Sequence, residues 1–271
     1  MLLFGTAGVP ISSKKRDTIS GIVTCRELGL DCMEIEFVRG VRMGVEMAKK
    51  VREVAIKENI KLSVHAPYFI NLNSSEKSKV EMSKKRIIDS AKIGAICNAK
   101  DIVFHPAYYG NKSKKEVYSV VKREIEDILS RVEDDVILRP ETTGKPSQFG
   151  TLEEILSLSQ EVDNVLPCID FAHIHARYFG RYNTYEEFCE ILEKIEKTLG
   201  KEALKNMHIH VSGIEYGKKG EKRHLNLKES DFNYKALLKS LKNFKVEGMV
   251  ISESPNLEGD ALLLKKEYEN M

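Results

Sequence analysis

Cysteine is scarce in this chain and unpaired. The five thiols, Cys25, Cys32, Cys97, Cys168 and Cys189, are scattered and form no C-x-x-C pair. Neither a disulfide framework nor a thiolate zinc knuckle is suggested, and a reducing cytoplasm is the natural location. Long apolar runs are missing too. The opening "MLLFGTAGVP" is broken by Gly and Pro too early for a signal peptide, and no stretch has the length of a membrane span. No G-x-G-x-x-G follows the first apolar run, which argues against a dinucleotide-binding open sheet. With 43 basic and 41 acidic residues the net charge is only +2, so any surface for a polyanion must be a local patch.

Of the 271 residues, 42% are hydrophobic and 31% charged, which is ample for a core and typical of a folded domain. Short apolar runs alternate with charged segments of helical period from end to end. The strand-like runs are 2–8, 33–38, 61–66, 101–106, 136–141, 165–173, 207–212 and 248–254. Helical segments such as 44–59, 78–98, 115–132 and 184–200 lie between them. Eight β/α units without a Gly/Ser/Pro-rich linker predict a (β/α)8 TIM barrel that occupies 1–271 as one α/β domain.

In such a barrel the ends of the strands carry the chemistry. Strand 3 ends at His65, strand 4 at His105, strand 5 at Glu141, strand 6 at Asp170 and His173, strand 7 at His208 and His210, and strand 8 at Glu253. One strand-end His or Glu is most often a hydrogen-bonded core residue or a helix cap. Here all seven histidines of the chain fall at the ends of strands 3, 4, 6 and 7 or just after them. Clustered carboxylates in one mouth repel each other unless cations lie between them. Imidazole with carboxylate and no thiolate suits Zn²⁺, Mn²⁺ or Fe²⁺, and the donors exceed the needs of one ion. Glu141, central in strand order, is placed to bridge two ions, and paired metals suit phosphoester hydrolysis. Residues two apart on a strand face the same way, so spacing does not choose between His173 and His175, or between His208 and His210.

The pieces "SVHAPYFINL", "IVFHPAYY", "LRPETTGKPSQFGTLEE", "PCIDFAHIHA", "NMHIHVS", "KRHLNL" and "VISESP", in this order, resemble the endonuclease IV family of apurinic/apyrimidinic endonucleases. The resemblance implies a zinc-dependent enzyme that cuts the phosphodiester 5′ to an abasic site in double-stranded DNA, leaving 3′-OH and 5′-deoxyribose phosphate ends. It implies His65, His105 and Glu141 around a first metal, Glu141, Asp170, His208 and Glu253 around a second, and His173 and His224 at a third. Glu141 and Glu253 would then be the catalytic carboxylates. It further implies that Tyr68 and Phe69 wedge into the duplex and that Arg39, with Arg42 as competitor, contacts DNA. No membrane and no obligate protein partner are implied.

A basic rim fits a phosphate-binding surface: Lys145, Arg177, Arg181, Lys218, Lys219, Lys222 and Arg223 all follow strands 5 to 7. At the third metal the chain departs from the family, because Lys222 stands where the family has aspartate and a protonated lysine has no lone pair to offer. Glu221 reaches that place if the loop shifts by one residue; otherwise the third ion is weak, water-supplemented or missing. Two other classes of function share the fold: a sugar-phosphate isomerase or epimerase with one metal, and a protein that binds abasic DNA without cutting it.

Overall fold

A computed structural model of the chain describes residues 1–132 and 135–271. Its eight central strands are β1 (Leu2–Ala7), β2 (Cys32–Glu36), β3 (Lys61–His65), β4 (Asp101–Phe104), β5 (Ile137–Pro140), β6 (Cys168–Asp170), β7 (Met207–Val211) and β8 (Gly248–Ser252). They pair in parallel in the order β5-β4-β3-β2-β1-β8-β7-β6. Parallel bridges Leu138 to Val165 and Glu141 to Cys168 join β5 to the β6 segment and close the ring. The expected TIM barrel is therefore the observed architecture.

Nine α-helices are described: α1 (Thr18–Glu27), α2 (Val45–Glu58), α3 (Lys77–Ile96), α4 (Lys114–Ser130), α5 (Leu152–Glu161), α6 (Phe171–Arg177), α7 (Tyr185–Leu199), α8 (Tyr234–Asn243) and α9 (Glu258–Glu269). Three of them begin where the sequence writes a Ser/Thr followed three residues later by Glu. Ser113 with Glu116, Thr151 with Glu154 and Thr184 with Glu187 form reciprocal capping boxes at α4, α5 and α7. In α7 the apolar Phe188, Ile191, Leu192 and Ile195 recur at helical spacing and are all buried against the sheet. Burial of each such side chain stabilises the fold by roughly 1.5–3 kcal/mol.

Two local readings of the sequence are corrected. The apolar run 165–173 is not one strand: β6 stops at Asp170, whose Oδ1 accepts the His173 amide at 2.7 Å and so caps α6. The basic stretch after β7 is not an irregular loop but an antiparallel hairpin, Gly213–Gly217 with Gly220–Leu225. It seats closely on the loop after β5. Gly220 turns with φ +82°, and a Cβ on it would stand 2.3 Å from the Gly144 carbonyl oxygen; a Cβ on Gly144 would stand 2.6 Å from that of Glu221.

Candidate metal centre at the barrel mouth

Glu141, one residue beyond β5, is wholly buried at the centre of the mouth. Its Oε2 lies 2.9 Å from His105 Nε2 and 3.3 Å from His65 Nε2, while its Oε1 lies 3.0 Å from His173 Nδ1 and 3.5 Å from His210 Nδ1. Four imidazoles from four β/α units, two of them on β3 and β7, one just past β4 and one on α6, thus converge on one carboxylate. Around it, Asp170 Oδ2 is 3.3 Å from His173 Nδ1, and Glu253 Oε1 is 3.4 Å from His210 Nδ1. Nε2 of His173 faces Nε2 of His224 at 3.2 Å.

These donors fall into three groups whose atoms lie within 4.8 Å of one another: His65, His105 and Glu141; Glu141, Asp170, His210 and Glu253; and Asp170, His173, His224 and Glu253. The chemistry of the set fits divalent cations. Glu141 Oε1, Asp170 Oδ2 and His210 Nδ1 are buried without a hydrogen-bond partner. Leaving such a group unpaired costs about 1–3 kcal/mol, so atoms of this kind aimed at a shared space call for an ion between them.

Protonation within the metal-free cluster follows its charges. Burial disfavours the charge on Glu141, yet His105 and His210 overcome it and hold the carboxyl well below the usual range. Burial also opposes a charge on His65, but Glu141 and Glu36 raise it to about 10. Asp170 goes the other way, to about 6, because burial together with Glu253 and Glu141 outweighs His173.

The structure brings together His65, His105, Glu141, Asp170, His173, His224 and Glu253, and it leaves His208 out. Both histidines of β7 point into the barrel, but His208 sits two residues, roughly 6.6 Å at strand rise, farther from the rim. Its Nε2 meets Glu34 at 2.9 Å instead, and the imidazole beside Glu141 and Glu253 is that of His210. His210 therefore replaces His208 in the second group. His173 and His175 separate because they lie on a helix: His175 turns away to the Arg181 carbonyl and to Asp231.

Lys222 is also resolved by geometry. In the hairpin Glu215 pairs with Arg223 and Tyr216 with Glu221, so Lys222 is the extra residue of a β-bulge. The bulge turns Lys222 outward to Glu215 at 3.1 Å, beside Arg223, whose Nε meets Glu215 at 2.8 Å. It turns Glu221 inward, where Oε2 stands 3.6 Å from His173 Nε2. A carboxylate is thus present beside His173 and His224, one residue from where the aligned motif has lysine.

Of the basic rim, Arg177 is a correction: it is buried and spends its guanidinium on the carbonyls of Thr143, Lys145 and Gln148. Burial pushes the Glu221 carboxyl up, but His173, His224 and the nearby Lys145 together hold it low. Tyr68 and Phe69 are 56% and 65% exposed, so Phe69 does not pack beneath its loop. Arg39 and Arg42 share a groove of about 890 Å³ with Lys15 and Arg16, floored by Glu36. The sequence reading overlooked Glu34 and Glu36, although two acids alternating in the apolar run "MEIEFV" signalled inward-facing charge.

Fold and site together define a TIM barrel with candidate metal ligands clustered at its mouth, and the profile of the xylose isomerase-like TIM barrel family matches residues 22–269. The chain belongs to that family. It is 53% identical over its whole length to an uncharacterized protein of Methanocaldococcus jannaschii, of which it covers 98%. It is 32% identical, over 64% of its length, to a probable endonuclease 4 of Oceanobacillus iheyensis, of which it covers 59%. Among solved structures, endonuclease IV of Thermus thermophilus superimposes with a TM-score of 0.77 at 17% identity, over 99% of this chain and 100% of that one. A D-tagatose 3-epimerase-like protein superimposes at 0.74 and 21%, over 98% and 97%. Among the described residues no helix is long and apolar enough to cross a membrane.

Proposed function

We propose that this protein is a metal-dependent DNA-repair endonuclease that hydrolyses the phosphodiester 5′ to an abasic site in double-stranded DNA, leaving 3′-OH and 5′-deoxyribose phosphate ends. The whole chain, 1–271, acts as one barrel domain, in the cytoplasm and without an obligate protein partner. The observation that carries the reading is the Glu141 carboxylate faced by four imidazoles, with further carboxylates on either side. A carboxylate so enclosed would serve as a metal ligand rather than a free acid or base, and its place in two donor groups favours several ions over one.

His65, His105 and Glu141 would hold the first ion, Glu141, Asp170, His210 and Glu253 the second, and His173, His224 and Glu221 the third, with Zn²⁺ the best match to the donors and Mn²⁺ or Fe²⁺ the alternatives. Bound there, divalent cations supply Lewis acidity at a phosphate and activate water near neutral pH. Tyr68 and Phe69, exposed just past His65, wedge into the duplex and fill the space of an extruded nucleotide. Arg39, Arg42 and Lys145 neutralise backbone phosphates without reading sequence. Lys222 and Arg223, tied to Glu215, serve the outer edge of that surface rather than the ions.

Similarity to endonuclease 4 proteins supports this reading, whereas the barrel itself is equally that of epimerases and does not choose. A one-metal epimerase would leave two of the three donor groups without purpose. The test is an abasic-site duplex incubated with metal-loaded protein. A single nick 5′ to the lesion is expected; an uncut duplex with any divalent metal sinks the proposal, and cutting that survives Glu141→Gln would sink the assignment of the site.

A further inference from the structure

Beneath the mouth lies a deeper polar cluster, of which only His210 belongs to the proposed metal groups while Glu34 and His208 do not. Glu34 on β2 and His208 and His210 on β7 are wholly buried, although β2 and β7 are not neighbours in the sheet. Glu34 Oε2 accepts from Ser63 Oγ at 2.8 Å and is 2.9 Å from His208 Nε2. Its other oxygen, Oε1, lies 2.9 Å from His210 Nε2, and neither of these two atoms has an aligned partner elsewhere. The opposite nitrogen of the same ring, Nδ1, is the one beside Glu141 and Glu253.

An imidazole binds a metal only through a nitrogen that carries no proton, so its single proton must sit on the other nitrogen. We infer that Glu34 is a positioning residue: it accepts a hydrogen bond from the Nε2–H of His210, fixing the tautomer and the ring so that Nδ1 is presented bare to the second ion. His208 and Ser63 are then the two donors that anchor Glu34, which gives the deeper histidine a task other than ligation. At 2.9 Å the two atoms are within hydrogen-bond distance but not aligned, and a rotation of the His210 ring would align them. Glu34 is wholly shielded from bulk solvent. Carboxylates behind metal-bound histidines typically contribute about 10–100-fold in metal affinity.

This inference rests on the proposal that the mouth binds metal, and the experiment separates the two. Metal-free wild type, Glu34→Gln, His208→Gln and His210→Gln are titrated with Zn²⁺, and ions bound, affinity and circular dichroism are recorded. Wild type that takes up no metal removes the metal reading itself. If wild type binds, Glu34→Gln is expected to weaken one class of ion by about 10–100-fold, with the spectrum and the other ions unchanged. His210→Gln is expected to lose that ion, and His208→Gln to keep it. Unchanged affinity in Glu34→Gln, or an ion lost in His208→Gln, overturns the inference. Should Glu34→Gln not fold, Ser63→Ala carries the test, with a few-fold loss for the same ion expected and wild-type affinity contradicting it. Because Cys168 lies within ligand reach of both His208 and His210, Co²⁺-loaded protein gives a further check: a sulfur-to-cobalt charge-transfer band would place a metal on the wrong side of His210 and overturn the inference.

Discussion

Replacing Glu141 by Gln removes one negative charge and leaves the volume of the side chain unchanged, so it probes the electrostatics of the mouth with little disturbance of packing. The carboxylate is shared by the His65/His105 group and the Asp170/His210/Glu253 group. Two ions should therefore be weakened together, while the ion between His173, His224 and Glu221 is retained. An ion present at one hundred times its dissociation constant stabilises the folded state by about 2.7 kcal/mol, so two such ions contribute roughly 5 kcal/mol. At roughly 2–4 °C per kcal/mol for a domain somewhat smaller than this one, wild type should lose about 10–20 °C in Tm when Zn²⁺ is removed through these two groups. Scanning calorimetry with and without Zn²⁺ measures that difference directly. The Glu141→Gln protein is expected to show only the part due to the remaining ion, and its nicking of abasic DNA to fall to background. A metal-induced rise in Tm equal to that of wild type would refute the placement of Glu141 between two ions.

Metal uptake should be linked to protons. Neighbouring carboxylates raise His65 to about 10 in the metal-free protein, so its ring is protonated at pH 7 and must lose that proton to bind an ion. Zn²⁺ binding at pH 7 is expected to release protons, and apparent affinity to climb with pH until about 10; calorimetric titration in buffers of different ionisation enthalpy that shows no release contradicts this. Tyr68→Ala with Phe69→Ala removes two exposed side chains, so stability should stay within about 0.5 kcal/mol and metal content should not change, while abasic-duplex affinity drops. Equal affinity in a binding assay would remove the wedge. Glu221→Gln should lose the third ion and Lys222→Ala should keep it, as read by metal analysis, and the reverse pattern would overturn the bulge-based assignment.

Much of this architecture is legible in the sequence, because parallel strands covered on both faces are apolar almost throughout and each is followed by a segment of helical period. What escaped depends on geometry that period cannot carry. The run through "CIDFAHIHA" stays apolar while the backbone changes from strand to helix at Asp170, so strand period does not apply to the two-residue spacing of His173 and His175. His208 and His210 do share a face, but depth along the barrel axis is set by where β7 ends relative to its neighbours. Lys222 stood in a ligand's place only until a bulge opposite Glu215 and Tyr216 exchanged it for Glu221. Glu34 was visible as a charge in an apolar strand, and only the packing showed that its partners lie across the barrel on β7.

Metal content and cleavage measured on one preparation test the central claim most directly. Protein loaded with Zn²⁺ is predicted to bind more than one ion per chain and to nick an abasic duplex once, 5′ to the lesion; a chelator should abolish both and added Zn²⁺ restore both. A fully loaded protein that leaves the duplex intact, or a single ion per chain with turnover of a free sugar, would contradict the account.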